Sequence, residues 1–305
     1  MIFAGDFAQL PPPMGGESAS LYGSCDGMFA SNKRSQEMAM GKAIWHQVTT
    51  VVMLQQNMRQ RTQTPNDEKF RTALFNICYK AATVADIKFL RSRVVGKRAA
   101  SKLTDPDFRC MSIITGLNVH KDEYNRLGAI HFAEETGQEL CVFYCDDKLS
   151  GAESTERAPR GRGAKSTVCF ISDRLRQTLW SAVPSSSDKQ IPPTLSICKG
   201  MPIMIRTNSV TELCITKGQE GTVYSWTSSI AAHSKPVLDV VFVQLVNPPA
   251  DVDIAGLPHN VVPVVRTSTT TVCSLPDDTT VKVSRTQVEI AINFAMTDFA
   301  SQGKT

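Results

Sequence analysis

The stretch Gly5-Asp6-Phe7-Ala8-Gln9-Leu10-Pro11-Pro12 is the most informative part of the sequence. It follows Ile2-Phe3-Ala4, which has the apolar character of a short buried strand, and the prolines exclude regular structure after it. A strand that ends in a Gly-Asp turn places the side chains of Asp6 and Gln9 at the carboxyl edge of a parallel sheet, where open α/β folds bind ligands. Taken alone, the pattern also fits an Asx turn with a surface glutamine. Because a buried strand needs paired neighbours, we expect the chain to begin in mid-domain.

The composition is that of a globular chain of about two domains. The 305 residues are 42% hydrophobic and 20% charged, which excludes collagen, coiled coil and wholesale disorder. A net charge of +4 permits a nucleic-acid partner without requiring one. The nine cysteines include no Cys-x-x-Cys pair, so we predict neither a disulfide framework nor a metal site. No apolar stretch has the length of a bilayer span and no signal-peptide pattern is present, so we expect an intracellular chain with no membrane partner.

Residues 48–136 alternate between predicted strands and helices, which indicates an α/β layer. A polar loop over residues 14–36 and a short helix at residues 41–45 come before it. The predicted strands are residues 48–54 and 112–115, and the predicted helices are residues 67–80, 84–94 and 118–136. The helices at 67–80 and 84–94 are expected to pack as a hairpin.

Short β-branched runs dominate the sequence between residues 195 and 292. The runs are residues 202–205, 221–226, 237–246, 261–265, 269–273 and 280–292, and Gly and Pro separate them. Many short strands with turn residues between them predict a small β barrel or sandwich.

Three further features have both a structural and a functional interpretation. The basic residues of the loop at 148–166 fit either a nucleic-acid contact or a solvated linker. Asp146 and Asp147 imitate a magnesium-binding acidic pair at a strand end, but we interpret residues 140–147 as a plain strand or turn. We expect the three tryptophans to pack in hydrophobic cores rather than to stack on bases.

Taken in full, the first stretch closely resembles the third signature motif of superfamily-one helicases of the Pif-one type and of their relatives in Helitron transposons. Four further segments are similar to later motifs of that family and follow in the family's order. They are Val52-Met53-Leu54-Gln55-Gln56-Asn57-Met58-Arg59-Gln60, Ile113-Ile114-Thr115-Gly116-Leu117-Asn118 followed by Asn125, Gly200-Met201-Pro202-Ile203-Met204-Ile205-Arg206-Thr207-Asn208 followed by Lys217-Gly218-Gln219-Glu220-Gly221, and Phe294-Ala295-Met296-Thr297-Asp298-Phe299-Ala300-Ser301-Gln302-Gly303. Five segments in the family's order, spread over nearly the whole chain, are too many to match by chance.

The resemblance implies an α/β fold of incomplete RecA-like P-loop NTPase lobes with an inserted small β barrel. Residues 1–48 would be the C-terminal remnant of the first lobe, 49–175 the second lobe, 176–290 the inserted barrel, and 291–305 the return to the second lobe. It also implies an intracellular, nuclear ATP-dependent helicase that acts on single-stranded DNA or DNA junctions in DNA repair, recombination or telomere maintenance. It implies nothing about the oligomeric state.

The resemblance also assigns roles to individual residues. ATP and Mg²⁺ would lie between the two lobes, with Asp6, Gln9 and Arg59 as the cofactor-binding residues. Gln9 and Arg59 would be catalytic, because Gln9 would sense the γ-phosphate and the planar guanidinium of Arg59 would contact phosphate oxygens. The residues expected to hold the DNA backbone are Asn118, Thr297, Ser301, Gln302 and Gly303.

Other motifs of the family are missing from the sequence. A phosphate loop, G-x-x-x-x-G-K-[ST], that ended at Gly303-Lys304-Thr305 would need a glycine where Asp298 stands. We expect the phosphate loop and the acidic pair for magnesium upstream of Met1, and the final motif beyond Thr305. This chain should therefore bind neither ATP nor Mg²⁺ tightly and should not hydrolyse ATP unaided. The family's Thr-Val-His-Lys-Ser-Gln-Gly also appears here without its His and Lys, which weakens the case for DNA contact at those two positions.

Two alternatives stay open. The chain also fits a non-enzymatic nucleic-acid-binding or partner-binding remnant of a transposon helicase, which would bind without turnover. A third possibility is a decayed transposon copy or a truncated gene product without function, against which soluble expression and a cooperative melt would count.

Overall fold

The computed structural model describes residues 5, 21, 33–53, 64–95, 108, 111–150 and 171–302. The chain divides into two compact units. The first unit is residues 1–107 with 302–305, and the second unit is residues 108–301. The strand predicted at residues 2–4 lies outside the described residues.

The described part of the first unit is helical. It contains α1 (Lys33–Trp45), α2 (Pro65–Cys78) and α3 (Val84–Arg91). Thr64 caps α2 by accepting a hydrogen bond from the Asp67 backbone, and Thr83 forms a reciprocal capping box with Asp86 at the start of α3. The predicted helical pair is confirmed, because α2 and α3 pack together and Asn76 Nδ2 donates to Asp86 Oδ2 at 2.8 Å.

Two predictions for this unit are wrong. The polar loop predicted as far as residue 36 is already helical from Lys33, since Lys, Arg, Gln, Glu and Met at this point are all good helix formers. The strand predicted at 48–54 is absent from its described part, residues 48–53, where Val51 and Val52 are 78% and 79% exposed. A β-branched run becomes a strand only where a neighbour pairs with it, and no described residue pairs with this one.

The second unit is mixed α/β. In chain order its elements are β1 (Ile113–Thr115), α4 (Asn118–Thr136), β2 (Cys141–Tyr144), β3 (Asp146–Leu149), α5 (Asp173–Ser181), β4 (Thr194–Ile197), β5 (Pro202–Ile205), β6 (Glu220–Ile230), β7 (Pro236–Leu245), β8 (Val261–Ser274), β9 (Thr280–Val288), β10 (Ile290–Ile292), β11 (Ala295–Thr297) and α6 (Asp298–Ser301). Short 3-10 turns lie at Pro184–Ser186 and Thr211–Leu213.

Most predicted elements of this unit are confirmed. α4 and β5 have the predicted bounds at both ends. The two strands predicted at 261–265 and 269–273 are one strand, β8, and the strand predicted at 280–292 is divided at Glu289 into β9 and β10. Helix α5 was not predicted, and it extends across the predicted boundary between residues 175 and 176.

The main sheet is antiparallel and curled. Its strand order is β10-β5-β6-β7-β8-β9-β3. The first part of β8 pairs with β7, from Val261 to Val265, and the rest pairs with β9. The order begins at β10 and later reaches β9, although Glu289 alone separates these two strands in the sequence. One continuous stretch of chain therefore lies at two distant places in the strand order, which requires the sheet to curl.

The core of the second unit lies inside this curl. Ile203 and Ile205 on β5, Val241 and Val243 on β7, and Ile290 on β10 are fully buried. They occupy alternate positions because successive side chains of a strand point to opposite faces. Each such side chain contributes about 1.5–3 kcal/mol when buried. Helix α4 adds two buried alanines to the same cluster, so the helix and the curled sheet share one core.

The structure shows the state of the cysteines, the packing of two tryptophans and the character of the helices in the described residues. The cysteines in the described residues are free, and no acidic, His or Cys cluster there could hold a metal ion. Trp180 is buried, and Trp226 packs against the main core and lies 5.9 Å from Phe143 by ring centroids. None of the helices in the described ranges combines the length and apolar character needed to cross a bilayer.

Candidate nucleic-acid interface

Two parallel strands of the second unit end side by side. β1 pairs with β11, and the last residues of the two strands, Thr115 and Thr297, are partners in the register. Each strand leads into a helix, β1 into α4 and β11 into α6. We call the surface formed by Thr115, Asn118, Thr297 and Ser301 the strand-end edge. Carboxyl ends of neighbouring parallel strands are the usual place for ligands in α/β folds.

The side chain of Asn125 holds β11 against α4. Its Oδ1 accepts a hydrogen bond from the Ala295 backbone nitrogen at 2.8 Å, and its Nδ2 donates to the Ala295 carbonyl at 3.0 Å. Gly128, one turn further along α4, lets Phe294 approach so closely that a Cβ added there would lie 2.5 Å from the phenyl ring. These contacts set the position of the strand-end edge relative to the first turn of α4.

The first turn of α4 presents backbone N–H groups at this edge. The preceding residue, Leu117, makes no side-chain capping hydrogen bond. The first N–H groups of a helix have no partner within the helix and carry a partial positive charge, which favours an anionic ligand. Asn118 is the first residue of the helix, and its Oδ1 accepts from Lys121 Nζ at 3.3 Å.

The two hydroxyl groups on the β11–α6 side of the edge differ in their hydrogen bonds. Thr297 Oγ1 accepts from the Ala300 backbone nitrogen at 3.3 Å, which leaves the hydroxyl hydrogen able to donate outward. Ser301 Oγ already donates its hydrogen to the Asp298 carbonyl oxygen at 2.8 Å. The Asp298 carboxylate accepts from the Phe299 backbone nitrogen at 2.9 Å and adds a negative charge next to the edge.

The charged groups next to the edge are partly buried, and their charges are balanced. Lys121 is 17% exposed and lies 3.3 Å from Asp122. Burial lowers the pKa of Lys121, the charge of Asp122 opposes this, and Arg206 adds to the lowering. Burial also lowers the pKa of Arg206, against the charges of Glu289 and Asp122.

Three solved helicase structures share the fold of this chain, each with a TM-score of 0.51 over 99% of its residues. They are the Pif1 (Pif-one) helicase from Candida albicans, at 18% identity, Bacteroides Pif1 bound to ssDNA, at 16%, and Bacteroides Pif1 in complex with ADP-AlF3 and ssDNA, at 18%. The chain has a Pif1-like helicase fold. It spans 53–55% of the length of those helicases. No protein-family profile and no curated protein matches the sequence.

The structure brings three of the predicted DNA-contacting residues to one edge. Asn118, Thr297 and Ser301 all lie at the strand-end edge, although about 180 residues of chain separate the first from the other two. Gln302 is exposed and belongs to the first unit. Asp6, Gln9, Arg59 and Gly303 lie outside the described residues, so their predicted roles stay predictions.

The sequence did not predict two residues at this edge, Thr115 and Lys121. Thr115 belongs to one of the motifs, but only the structure shows that it is the register partner of Thr297. Lys121 follows Asn118 by three residues in a predicted helix, a spacing that puts two side chains on the same face. That spacing was the available signal for the Lys121–Asn118 contact.

The acidic pair at 146–147 begins β3, which agrees with the predicted strand or turn. Both oxygens of the Asp147 carboxylate accept hydrogen bonds from Arg285, at 2.9 and 2.8 Å, and both side chains are 2% exposed. Burial alone would lower the pKa of Arg285, but the hydrogen bonds and charge of Asp147 raise it. The carboxylate of Asp147 is therefore paired with a buried guanidinium, and no cluster of acidic, His or Cys residues in the described part of the chain could hold a metal ion.

Proposed function

We propose that this chain is part of an ATP-dependent DNA helicase and that it binds the backbone of single-stranded DNA at the strand-end edge. The observation that carries the proposal is the parallel pairing of β1 with β11, which puts the Thr297 hydroxyl and the first turn of α4 on one surface. The fold likeness to Pif1 helicases supports the proposal, because two of those structures contain ssDNA.

We propose that the organisation implied by the resemblance applies to this chain. The strands β5 to β9 of the curled sheet would belong to the inserted barrel of residues 176–290, which β3 joins from the second-lobe segment. β1, α4 and β11 would belong to the second RecA-like lobe of residues 49–175 and 291–305. The meeting of β1 with β11, one from each of the two lobe segments, supports this division. Residues 1–48 would be the remnant of the first lobe.

The strand-end edge would recognise phosphate without reading bases. The Thr297 hydroxyl and the free N–H groups of α4 are hydrogen-bond donors, which suit phosphate oxygens and carry no sequence information. The edge offers few cations of its own, since the Lys121 side chain is only 17% exposed and lies against Asp122, and Asp298 is acidic. Binding should therefore be sequence-independent and of modest affinity.

ATP and Mg²⁺ are proposed as cofactors of the complete protein. Asp6, Gln9 and Arg59 would face the nucleotide, with Gln9 and Arg59 in the catalytic roles that the resemblance implies. Hydrolysis would drive translocation along single-stranded DNA and unwinding of duplexes. A nuclear location, a Helitron origin, action on DNA junctions and roles in repair, recombination and telomere maintenance belong to the same proposal.

A second candidate is a non-enzymatic nucleic-acid-binding or partner-binding remnant. The observation that favours it is the sequence itself, in which Asp298 replaces the glycine that a phosphate loop ending at Thr305 would need. Phosphate release in the presence of single-stranded DNA separates the two candidates. Binding without turnover by this chain supports the remnant, and turnover shows that a nucleotide site is complete within it.

The DNA-binding proposal can be tested with two substitutions at one position. Thr297→Val removes the hydroxyl while it keeps the shape of the side chain, and Thr297→Ser keeps the hydroxyl. We expect Thr297→Val to weaken the binding of a fluorescein-labelled oligothymidylate by about tenfold, the effect of losing one hydrogen bond to a charged group. Thr297→Ser should bind within about twofold of the wild type.

Two controls complete this test. Thr270→Val, on an exposed part of β8, should leave the fluorescence anisotropy titration unchanged. Circular dichroism checks that each variant is folded, because Thr297 also accepts a hydrogen bond at the start of α6. Equal affinity of Thr297→Val and Thr297→Ser would contradict the proposal that the strand-end edge binds the DNA backbone.

A further inference from the structure

The ammonium group of Lys121 is fully engaged by protein acceptors. Its Nζ donates to Gln190 Oε1 at 2.8 Å and to Asn118 Oδ1 at 3.3 Å, and it lies 3.3 Å from Asp122 Oδ1. An ammonium group has three N–H donors, and here each of them has an acceptor. Because the side chain is also 17% exposed, Lys121 does not offer a free charge to a DNA phosphate.

Gln190 belongs to a segment that connects the first turn of α4 with the curled sheet. We call residues 184–190 the strap. Its Ser185 backbone nitrogen donates to Asp122 Oδ2 at 2.9 Å. The guanidinium of Arg206, just after β5, donates to the carbonyl oxygens of Lys189 and Gln190. The strap is therefore joined to α4 at one side and to the end of β5 at the other.

The charges of this network cancel. Lys121 and Arg206 are the cations, and Asp122 and Glu289 are the anions that act on them. A site that attracts a polyanion needs an excess of positive charge, and this network has none. Its role must therefore lie in the positions of the groups that it holds.

The donors of Lys121 also determine the orientation of Asn118. An ammonium group cannot accept a hydrogen bond, so the carboxamide oxygen of Asn118 has to face Lys121. The carboxamide nitrogen, with its two N–H donors, is then the end of the side chain left for an outside acceptor. Without Lys121, the carboxamide would be free to rotate and to present its oxygen to a phosphate, which it would repel.

We propose that Lys121 is a positioning residue: it turns the Asn118 amide donor toward the bound nucleic-acid backbone and ties that donor to the strap that leads into the curled sheet. This inference rests on the proposed DNA binding at the strand-end edge. It has two consequences. Lys121 acts on affinity through Asn118, and occupancy of the edge stabilises the strap.

A double-mutant cycle tests the first consequence in the full chain. We expect Asn118→Ala and Lys121→Met each to weaken oligothymidylate binding by about tenfold. The double variant should bind no more weakly than either single variant, because Lys121 acts only through the donor that Asn118→Ala removes. Multiplied losses, about a hundredfold in the double variant, would overturn the inference.

The salt dependence separates positioning from direct contact. A lysine that contacts a phosphate of single-stranded DNA contributes about 0.7 to the slope of log affinity against log salt concentration. We expect Lys121→Met to keep the wild-type slope, and a slope reduced by about 0.7 would show direct contact instead. Lys282→Met, at an exposed lysine of β9, is the matched control for loss of one surface charge and should bind like the wild type.

Hydrogen–deuterium exchange tests the second consequence. Addition of the oligothymidylate should slow exchange at the Ser185 amide in the wild type and leave it unchanged in Lys121→Met. Unchanged exchange in the wild type, under conditions where the titration shows saturation, would refute the link to the strap. If Lys121→Met does not fold, a cycle of Asn118→Ala with Gln190→Met replaces it, because Gln190→Met removes one acceptor of Lys121. Its double variant should again bind no more weakly than Asn118→Ala alone. Absence of any binding by the wild type would overturn the proposed function, whereas multiplied losses with intact wild-type binding would overturn only the role of Lys121.

Discussion

The buried ion pair between Asp147 and Arg285 gives the sharpest stability prediction. The carboxylate accepts two guanidinium hydrogen bonds at 2.9 and 2.8 Å, and Arg285 Nη1 also donates to the Ile191 carbonyl at 2.9 Å. Asp147→Ala would leave the guanidinium in the interior with one neutral acceptor. Buried ion pairs broken in this way lose about 3–5 kcal/mol, because the remaining charge is uncompensated.

A loss of this size should be plain in urea unfolding followed by tryptophan fluorescence, since Trp180 is buried in the same unit. With a urea slope of about 2 kcal/mol per molar, a loss of about 4 kcal/mol lowers the midpoint by roughly 2 M. The double variant Asp147→Leu with Arg285→Met leaves no buried charge. It should recover most of the loss, because well-packed apolar side chains often replace a buried pair at little cost.

The control is an ion pair of the same length in solvent. Arg126 Nη2 lies 2.8 Å from Glu123 Oε1, but both side chains are more than half exposed. Glu123→Ala should leave the midpoint nearly unchanged, because water screens this pair and solvates the partner that remains. If Asp147→Ala moved the midpoint no further than Glu123→Ala, the argument from burial would fail.

Three further predictions follow from the packing and the buried polar groups. Gly128→Ala should lower the free energy of unfolding by about 1–3 kcal/mol, because the new Cβ would lie 2.5 Å from the Phe294 ring. Gly41→Ala, in α1 with no atom within 4 Å of the added Cβ, should stabilise the protein instead. Thermal melts measure both variants, and a stabilising Gly128→Ala would contradict the packing argument. Asn125→Ala leaves one donor and one acceptor of the β11 backbone without their side-chain partner. The variant should lose about 1–3 kcal/mol of unfolding free energy in urea and should bind oligothymidylate more weakly. A stable variant with normal affinity would show that β11 does not need these hydrogen bonds. Burial lowers the pKa of His233 below its ordinary value, so the unfolded chain takes up the proton first as the pH falls. The free energy of unfolding should therefore decline below about pH 6.5. His233→Phe should flatten this decline, and an unchanged pH profile would show that His233 does not cause it.

The elements that the sequence predicted best end at turn residues. Helix α4 was predicted with its correct ends, and Gly137 stops it in the left-handed conformation, at φ 64°. The strand β5 is a short apolar run between turn residues, and it too has the predicted bounds. The strand expected at 48–54 had the right composition, but composition cannot supply the neighbour that a strand must pair with.

The candidate site could be predicted in part. The motif resemblance selected Asn118, Thr297 and Ser301, and the structure places all three at one edge. It did not show that Ser301 already donates its hydroxyl hydrogen to a backbone carbonyl, nor that Lys121 is occupied by three acceptors. Hydrogen-bond occupancy depends on the arrangement of neighbours in space, which a motif does not contain.

By itself, the sequence determined most of the helices, the β-rich second half and the motifs, because each of these elements is set by residues within a few positions of one another. Only the tertiary structure decided that Asp147 meets Arg285, 138 residues away, and becomes a structural anchor rather than a metal ligand. It also decided that Lys121 reaches Gln190, 69 residues away, and is thereby withdrawn from phosphate contact. The physical reason is that burial and the satisfaction of charges are set by the residues that surround a group in space, and most of those lie far from it along the chain.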